Sequence, residues 1–183
     1  FHDTRARFAA FEKAVREDVV GRAAEVQKEI AFFLERKETA CYFAGRLDRG
    51  ELPIRVTHND TKINNILFDK QGEVLCAIDL DTVMASTSLN DFGDAIRSYA
   101  NTGDEDDRDL SRVGISLEMF SAYTDGYLYV RAAQLTDTEI GHLAFSARYI
   151  TFEQVLRFLM DYIDGDTYYK IKYPEHNLVR THD

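Results

Sequence analysis

Proline is scarce in this sequence, 2 residues among 183, which excludes a polyproline or low-complexity linker and leaves a chain that should fold. Basic residues are outnumbered, 22 Lys and Arg against 32 Asp and Glu, for a net charge of -10. Unassisted attraction to nucleic acid or to an anionic membrane is thereby excluded, and an anionic ligand needs a metal ion or a local basic group. No run approaches the ~20 apolar residues of a membrane span. The opening Phe1-His2-Asp3-Thr4-Arg5 lacks the basic-then-apolar order of a signal peptide, so a cytoplasmic location is expected. The 2 cysteines, Cys41 and Cys76, sit in unlike contexts without metal-ligand spacing and are expected as buried thiols.

What is present is a 45% hydrophobic chain of a length that suits one domain with one substantial core. Phe8, Phe11 and Val15, then Val26, Ile30, Phe33 and Leu34, recur at helical spacing, so residues 3 to about 50 read as helix. Asp3 or Thr4 is the expected cap, and Gly21 the break. After Pro53 the period changes, and Ile54–Thr57, Ile66–Phe68 and Val74–Ile78 read as short strands, the last two joined as a hairpin through Asp69-Lys70-Gln71-Gly72-Glu73. Beyond Asp79 the strand signals vanish. A helix capped by Asn90 or Asp91 and another over roughly 113–130 are expected, with Asp104-Glu105-Asp106-Asp107 in a solvated loop. Thr136-Asp137-Thr138-Glu139 has capping-box spacing and starts a long helix that runs to Gly165. The fold class is mainly α with a small β patch (α+β).

The polar residues concentrate at the β patch. His58-Asn59-Asp60-Thr61-Lys62-Ile63-Asn64-Asn65 joins the first strand to the second, and Ile78-Asp79-Leu80-Asp81 closes the third. A hairpin of the second and third strands places Asn65, which enters it, beside Asp79, which leaves it. An amide oxygen and a carboxylate there suit Mg²⁺, a hard ion that keeps further positions for water and phosphate. Asp60, in the connecting loop, is positioned to face a substrate hydroxyl, and Lys62 can offset charge on a transferring phosphoryl group.

His-x-Asp-x-x-x-x-Asn followed by a strand-terminal Asp resembles the catalytic and metal loops of the protein-kinase-like phosphotransferases, specifically the aminoglycoside phosphotransferase and choline kinase branch. The strings VTHNDTKINNILFD, AIDLDTVM, NDFGDAIR and RFLMDYIDGDTYYKIKYPEHNL look closest to its N-acetylhexosamine 1-kinases. The resemblance spans essentially the whole chain and implies the C-terminal lobe of a protein-kinase-like fold. It implies Asp60 as catalytic base, Asn65 and Asp79 as Mg²⁺ ligands, His58 as a brace of the loop and Asp91 as the residue that steadies it. It also implies that Arg157 and Tyr168 contact the sugar, with Asp81 a further candidate for that pocket. The reaction expected is transfer of the γ-phosphoryl group of ATP to a sugar hydroxyl, at the anomeric position of an N-acetylhexosamine.

The sequence departs from that pattern in one respect. Its 10 glycines never form Gly-x-Gly-x-x-Gly, and no Lys lies in an early strand, so an N-terminal ATP-gripping lobe is not among these residues. Residues 1–183 are expected as one helical substrate and catalytic lobe, inactive alone, from a longer protein. A kinase of the same branch for choline, homoserine or an aminoglycoside is the nearest rival reading, and a non-catalytic kinase-like binding module is the rival from another class.

Overall fold

A computed structural model describes residues 1–182, and these divide into two compact units, 1–2 with 46–102 and 115–151, and 3–45 with 103–114 and 152–182. The described residues are mainly helical with two small antiparallel sheets, the expected class. No helix among the described residues is long and apolar enough to cross a membrane.

The first unit carries all four strands. β1 (Arg55–Thr57) pairs with β4 (Met84–Ser86), Arg55 opposite Ser86. β2 (Ile66–Phe68) pairs with β3 (Val74–Ala77) as the expected hairpin, closed at Gly72 with φ +87°. β4 corrects the reading that strands end at Asp79. Met-Ala-Ser has little intrinsic strand preference, and its pairing with β1 is what makes it a strand. α5 (Ser88–Tyr99) follows, capped not by Asn90 or Asp91 but by Thr87, whose hydroxyl accepts from the Leu89 N–H. Asp91 stands one turn inside. α6 (Leu117–Arg131) is capped by Ser116. α7 (Asp137–Ile163) begins with the expected capping box: the Glu139 N–H donates to Thr136 Oγ1 at 3.2 Å and the Thr136 N–H to Glu139 Oε2 at 2.8 Å.

Leu89, Phe92, Ala95, Ile96, Leu143 and Ile150 are buried in this unit. The Phe92 ring meets Phe120, Tyr123 and Tyr127 edge-on, with centroids 5.1–6.4 Å apart, a favourable quadrupole geometry. Gly93 allows α5 and α7 to touch, because a Cβ at that position would lie 2.4 Å from the Ser146 carbonyl oxygen. The glycine of this Asp-Phe-Gly therefore serves close packing rather than a turn. Glu139, buried, also receives Arg55 of β1, whose Nε and Nη2 bond its two oxygens at 2.6 and 2.7 Å, and the Ser88 hydroxyl at 2.6 Å. Burial raises the Glu139 pKa, but Arg55, Ser88 and the Thr136 N–H outweigh it and hold the carboxyl at about 2.

The second unit is helical: α1 (Thr4–Glu17), α2 (Gln27–Leu34), α3 (Lys37–Ala40), the first turn of α4 (Tyr42–Asp48), residues 152–163 of α7, and α8 (His176–His182), which periodicity did not reveal. Asp3 caps α1 as expected, Oδ1 accepting from the Ala6 N–H at 2.9 Å, and Gly21 makes the break with φ +74°. Phe8, Phe11, Ala14, Val26, Ile30, Phe33, Phe152, Leu156 and Leu159 form the core. Phe33 bridges Phe11 and Phe152 at centroid distances of 5.7 and 4.9 Å. Leu34 faces solvent instead. Asp106, expected in a solvated loop, bonds Lys172 Nζ at 2.6 Å and His176 Nε2 at 2.7 Å. Both cysteines are free, but neither is buried: Cys41 is half-buried and Cys76 exposed. Cys76 lies on β3, all four residues of which are exposed.

Gly93→Ala should lower unfolding free energy by about 3 kcal/mol in denaturant titration, because neither helix backbone can yield locally. The depressed Glu139 pKa makes a stabilising contribution that is complete above its ordinary value of 4.5 and disappears as pH falls toward about 2. Thermal midpoints measured across that window should fall with pH, and in Glu139→Gln this segment of the profile should flatten while stability at neutral pH drops by about 3 kcal/mol.

Candidate functional site

The loop between β1 and β2 cannot form ladder bonds, so its backbone donors must find side chains. Residues of α5 supply them. Asp91 accepts the His58 N–H on Oδ2 at 2.9 Å and the Asn59 N–H on Oδ1 at 2.7 Å. Asp94, one turn further along the same helix face, accepts the Thr61 N–H at 2.7 Å. The Thr61 hydroxyl donates to the Asp91 carbonyl at 2.7 Å. Burial pushes the Asp91 carboxyl above its ordinary range, opposed by the N–H groups of Asn59 and His58.

Asn59 has φ +65°, a left-handed conformation that Asn tolerates better than most residues. Its buried side chain is fully engaged: Nδ2 donates to the Thr82 and Thr57 carbonyls at 2.9 and 3.3 Å, and Oδ1 accepts the Thr57 hydroxyl at 3.0 Å. Thr82 returns its hydroxyl to the His58 carbonyl at 2.6 Å. His58 accepts the Asp60 N–H on Nδ1 at 3.3 Å, which puts the ring proton on Nε2, 3.0 Å from the Ile78 carbonyl at the end of the hairpin.

These bonds present Asp60, Lys62 and Asn65 to one another. Asp60 Oδ2 receives Lys62 Nζ at 2.9 Å and Asn65 Nδ2 at 2.9 Å, and the Asn65 amide also donates to the Asp60 carbonyl at 2.8 Å. Among the described residues Oδ1 of Asp60 receives no hydrogen bond and remains for a ligand. The Ile78 N–H donates to the Asn65 carbonyl at 2.9 Å, so the hairpin pairing extends to Asn65 and Ile78, and Asp79 follows as the next residue of the exit strand. Asp79 takes φ +61° and is exposed.

With its amide hydrogens committed to Asp60, Asn65 has its amide oxygen left to offer, and Asp79 adds a carboxylate. This donor set fits a hard divalent cation that draws its other ligands from water and phosphate. No group of three or more His, Cys, Asp or Glu suited to a metal occurs among the described residues. Asp81 lies exposed in a short 3-10 turn, Leu80–Thr82.

Arg157 and Tyr168 belong to the second unit. The side chains alone suggest a surface cation and a half-buried ring, and the structure reverses both: Arg157 is 8% exposed and Tyr168 72%. The guanidinium stands 5.7 and 5.5 Å from the ring centroids of Tyr168 and Tyr169 and donates to Gln154 Oε1 at 3.0 Å. Asp161, buried one turn after Arg157 on α7, accepts the Tyr168 and Tyr169 N–H groups at 2.8 and 3.0 Å.

Sequence reasoning missed Asp94, Asn59 and Asp161. The spacing of Asp94 from Asp91 was the available signal for the first, and the other two show themselves only through backbone partners.

Residues 1–129 match the family described as the phosphotransferase enzyme family (APH). The match takes in the whole loop system from β1 to α5 and ends before Arg157 and Tyr168. If Asp91 is the anchor of this loop, Asp91→Ala should cost about 2–3 kcal/mol in chemical denaturation, since it strands two backbone donors. Asp91→Asn, which keeps one acceptor oxygen, should cost about half as much.

Proposed function

This chain belongs to the phosphotransferase enzyme family, and from that premise we propose that it is the substrate and catalytic lobe of an ATP-dependent sugar kinase. The acceptor we propose is the anomeric hydroxyl of an N-acetylhexosamine. The observation that carries the reading is the convergence of Lys62 and Asn65 on one oxygen of Asp60, which leaves the other oxygen to face an acceptor hydroxyl.

In this reading Asp60 Oδ1 accepts a hydrogen bond from the sugar hydroxyl and orients its oxygen toward the γ-phosphorus. The new O–P bond forms as the bond to the β,γ-bridging oxygen breaks. ADP leaves with that electron pair, and the hydroxyl proton passes to Asp60. Lys62, already held against Asp60, offsets negative charge on the phosphoryl group in an otherwise acidic chain. Asn65 and Asp79 would hold Mg²⁺, which when bound neutralises charge on the phosphates. His58 and Asp91 brace the loop. Arg157 and Tyr168 are the proposed sugar contacts, with Asp81 a further candidate, since a guanidinium beside aromatic faces suits a neutral, hydroxyl-rich ring.

The glycine-rich turn and strand lysine that grip ATP in such kinases have no counterpart in these 183 residues, and we assign them to a further lobe of a longer protein. Mg-ATP should therefore bind the 183-residue chain weakly, without measurable sugar phosphorylation. Turnover by the purified chain would overturn that division.

In the full-length protein Asp60→Asn should lower kcat by roughly 10²–10⁴-fold, within the range for loss of a general base, with the thermal midpoint nearly unchanged. A steady-state assay of ADP release with N-acetylhexosamine, choline, homoserine and an aminoglycoside as acceptors tests both parts. An unchanged kcat would remove Asp60 from the chemistry, and a preference for a cationic alcohol would replace the sugar.

A further inference from the structure

The geometry points to Asp94 as a positioning residue for phosphoryl transfer, one that acts by clamping the Asp60–Thr61 peptide group. The inference rests on the reading of Asp60 as the hydroxyl-orienting carboxylate. Asp94 is only 4% exposed, and a buried carboxylate persists only where its oxygens are matched by donors. Its two oxygens are divided between two tasks. Oδ1 takes Arg97 of the same helix, at 3.3 Å from Nε and 3.0 Å from Nη2. Oδ2 takes the Thr61 N–H at 2.7 Å and lies 3.3 Å from the Thr61 hydroxyl.

The Thr61 N–H belongs to the peptide group whose carbonyl is that of Asp60, and this carbonyl accepts Asn65 Nδ2 at 2.8 Å. One peptide plane is therefore held at its N–H end by Asp94 and at its carbonyl end by Asn65. Fixing that plane fixes ψ of Asp60. Through it the direction of the Asp60 side chain is set against the donors, Lys62 and Asn65, that share its Oδ2. The Thr61 hydroxyl adds a third attachment by donating to the Asp91 carbonyl at 2.7 Å. An in-line attack tolerates little displacement of the group that orients the nucleophile, so a loosened plane should act on turnover rather than on substrate affinity.

Asp94→Asn is the direct probe. In either orientation of the amide, its NH₂ faces a donor, Arg97 on one side or the Thr61 N–H on the other, so one of the two bonds is lost. In the full-length protein, assayed with Mg-ATP and N-acetylhexosamine and scaled to folded protein, kcat should fall about 10–100-fold. KM for each substrate should stay within about threefold. Placed in an Asp60→Asn background, the same substitution should lower the residual kcat less than about twofold, because residues that act through one another are not additive. Equal losses in the two backgrounds would mark Asp94 as merely structural and overturn the inference, as would an unchanged kcat in Asp94→Asn alone. If Asp60→Asn itself retains full kcat, the underlying reading falls and this inference with it. Should Asp94→Asn not fold, Thr61→Val takes its place: removal of the hydroxyl attachment should lower kcat at least about threefold at constant KM, and an unchanged kcat refutes the clamp.

Discussion

Everything proposed for the loop after β1 depends on two carboxylates of α5. A loop of this kind has backbone N–H groups that no strand or helix can satisfy, and leaving them buried without partners would cost more than the loop's own contacts return. Asp91 and Asp94 take three of those groups, from His58, Asn59 and Thr61. Because both acceptors stand on one rigid helix, the loop inherits the position of that helix. α5 is in turn held against α7 through the Gly93 contact with the Ser146 backbone. The order of dependence runs from a helix–helix approach, through two carboxylates, to the placing of Asp60.

Two left-handed residues flank this arrangement, Asn59 and Asp79, at φ +65° and +61°. Each is of a type whose short polar side chain makes that region less costly, and each turns the chain sharply where a strand ends. Asn59 contributes its side chain to tying β1 and the turn at Thr82 together. Asp79 is exposed and directly follows Ile78, the residue paired with Asn65. Local backbone strain of this kind persists only when surrounding bonds determine the conformation, and around Asn59 those bonds are numerous.

The second unit shows the same economy on a different scaffold. α7 carries Gln154, Arg157 and Asp161 at helical spacing, and these engage the Tyr168-Tyr169 segment by a hydrogen bond to the Tyr169 hydroxyl, by a cation over the rings, and by acceptors for two N–H groups. Asn177 of α8 ties Asp161 to Asp166 with 2.8 Å bonds to each. A segment without regular structure is thereby given a defined path, and Tyr168 remains exposed at its surface.

Much of this was legible in the order of residues alone. The Asp3 cap, the Thr136–Glu139 capping box, the hairpin turn at Gly72 and the stripe of Phe8, Phe11, Ile30 and Phe33 all arise from interactions within a few residues or from a periodic apolar face, which sequence displays directly. The loop signature around Asp60 was also visible, because its chemistry is carried by residue types at short, fixed spacing. Other features were not visible because they are non-local. β4 is a strand only by virtue of β1, and Cys76 is exposed only because β3 turns no face to a core. Arg157 lies buried because the Tyr168-Tyr169 segment folds back beside it. Asp94 reads as an ordinary helix residue until Thr61 is brought to it. Sequence by itself determined the helical class, the Asp3 cap, the Thr136–Glu139 capping box and the identity of the polar loop; tertiary structure decided which carboxylate holds which backbone group, since a hydrogen bond between residues 33 apart depends on where two elements meet in space.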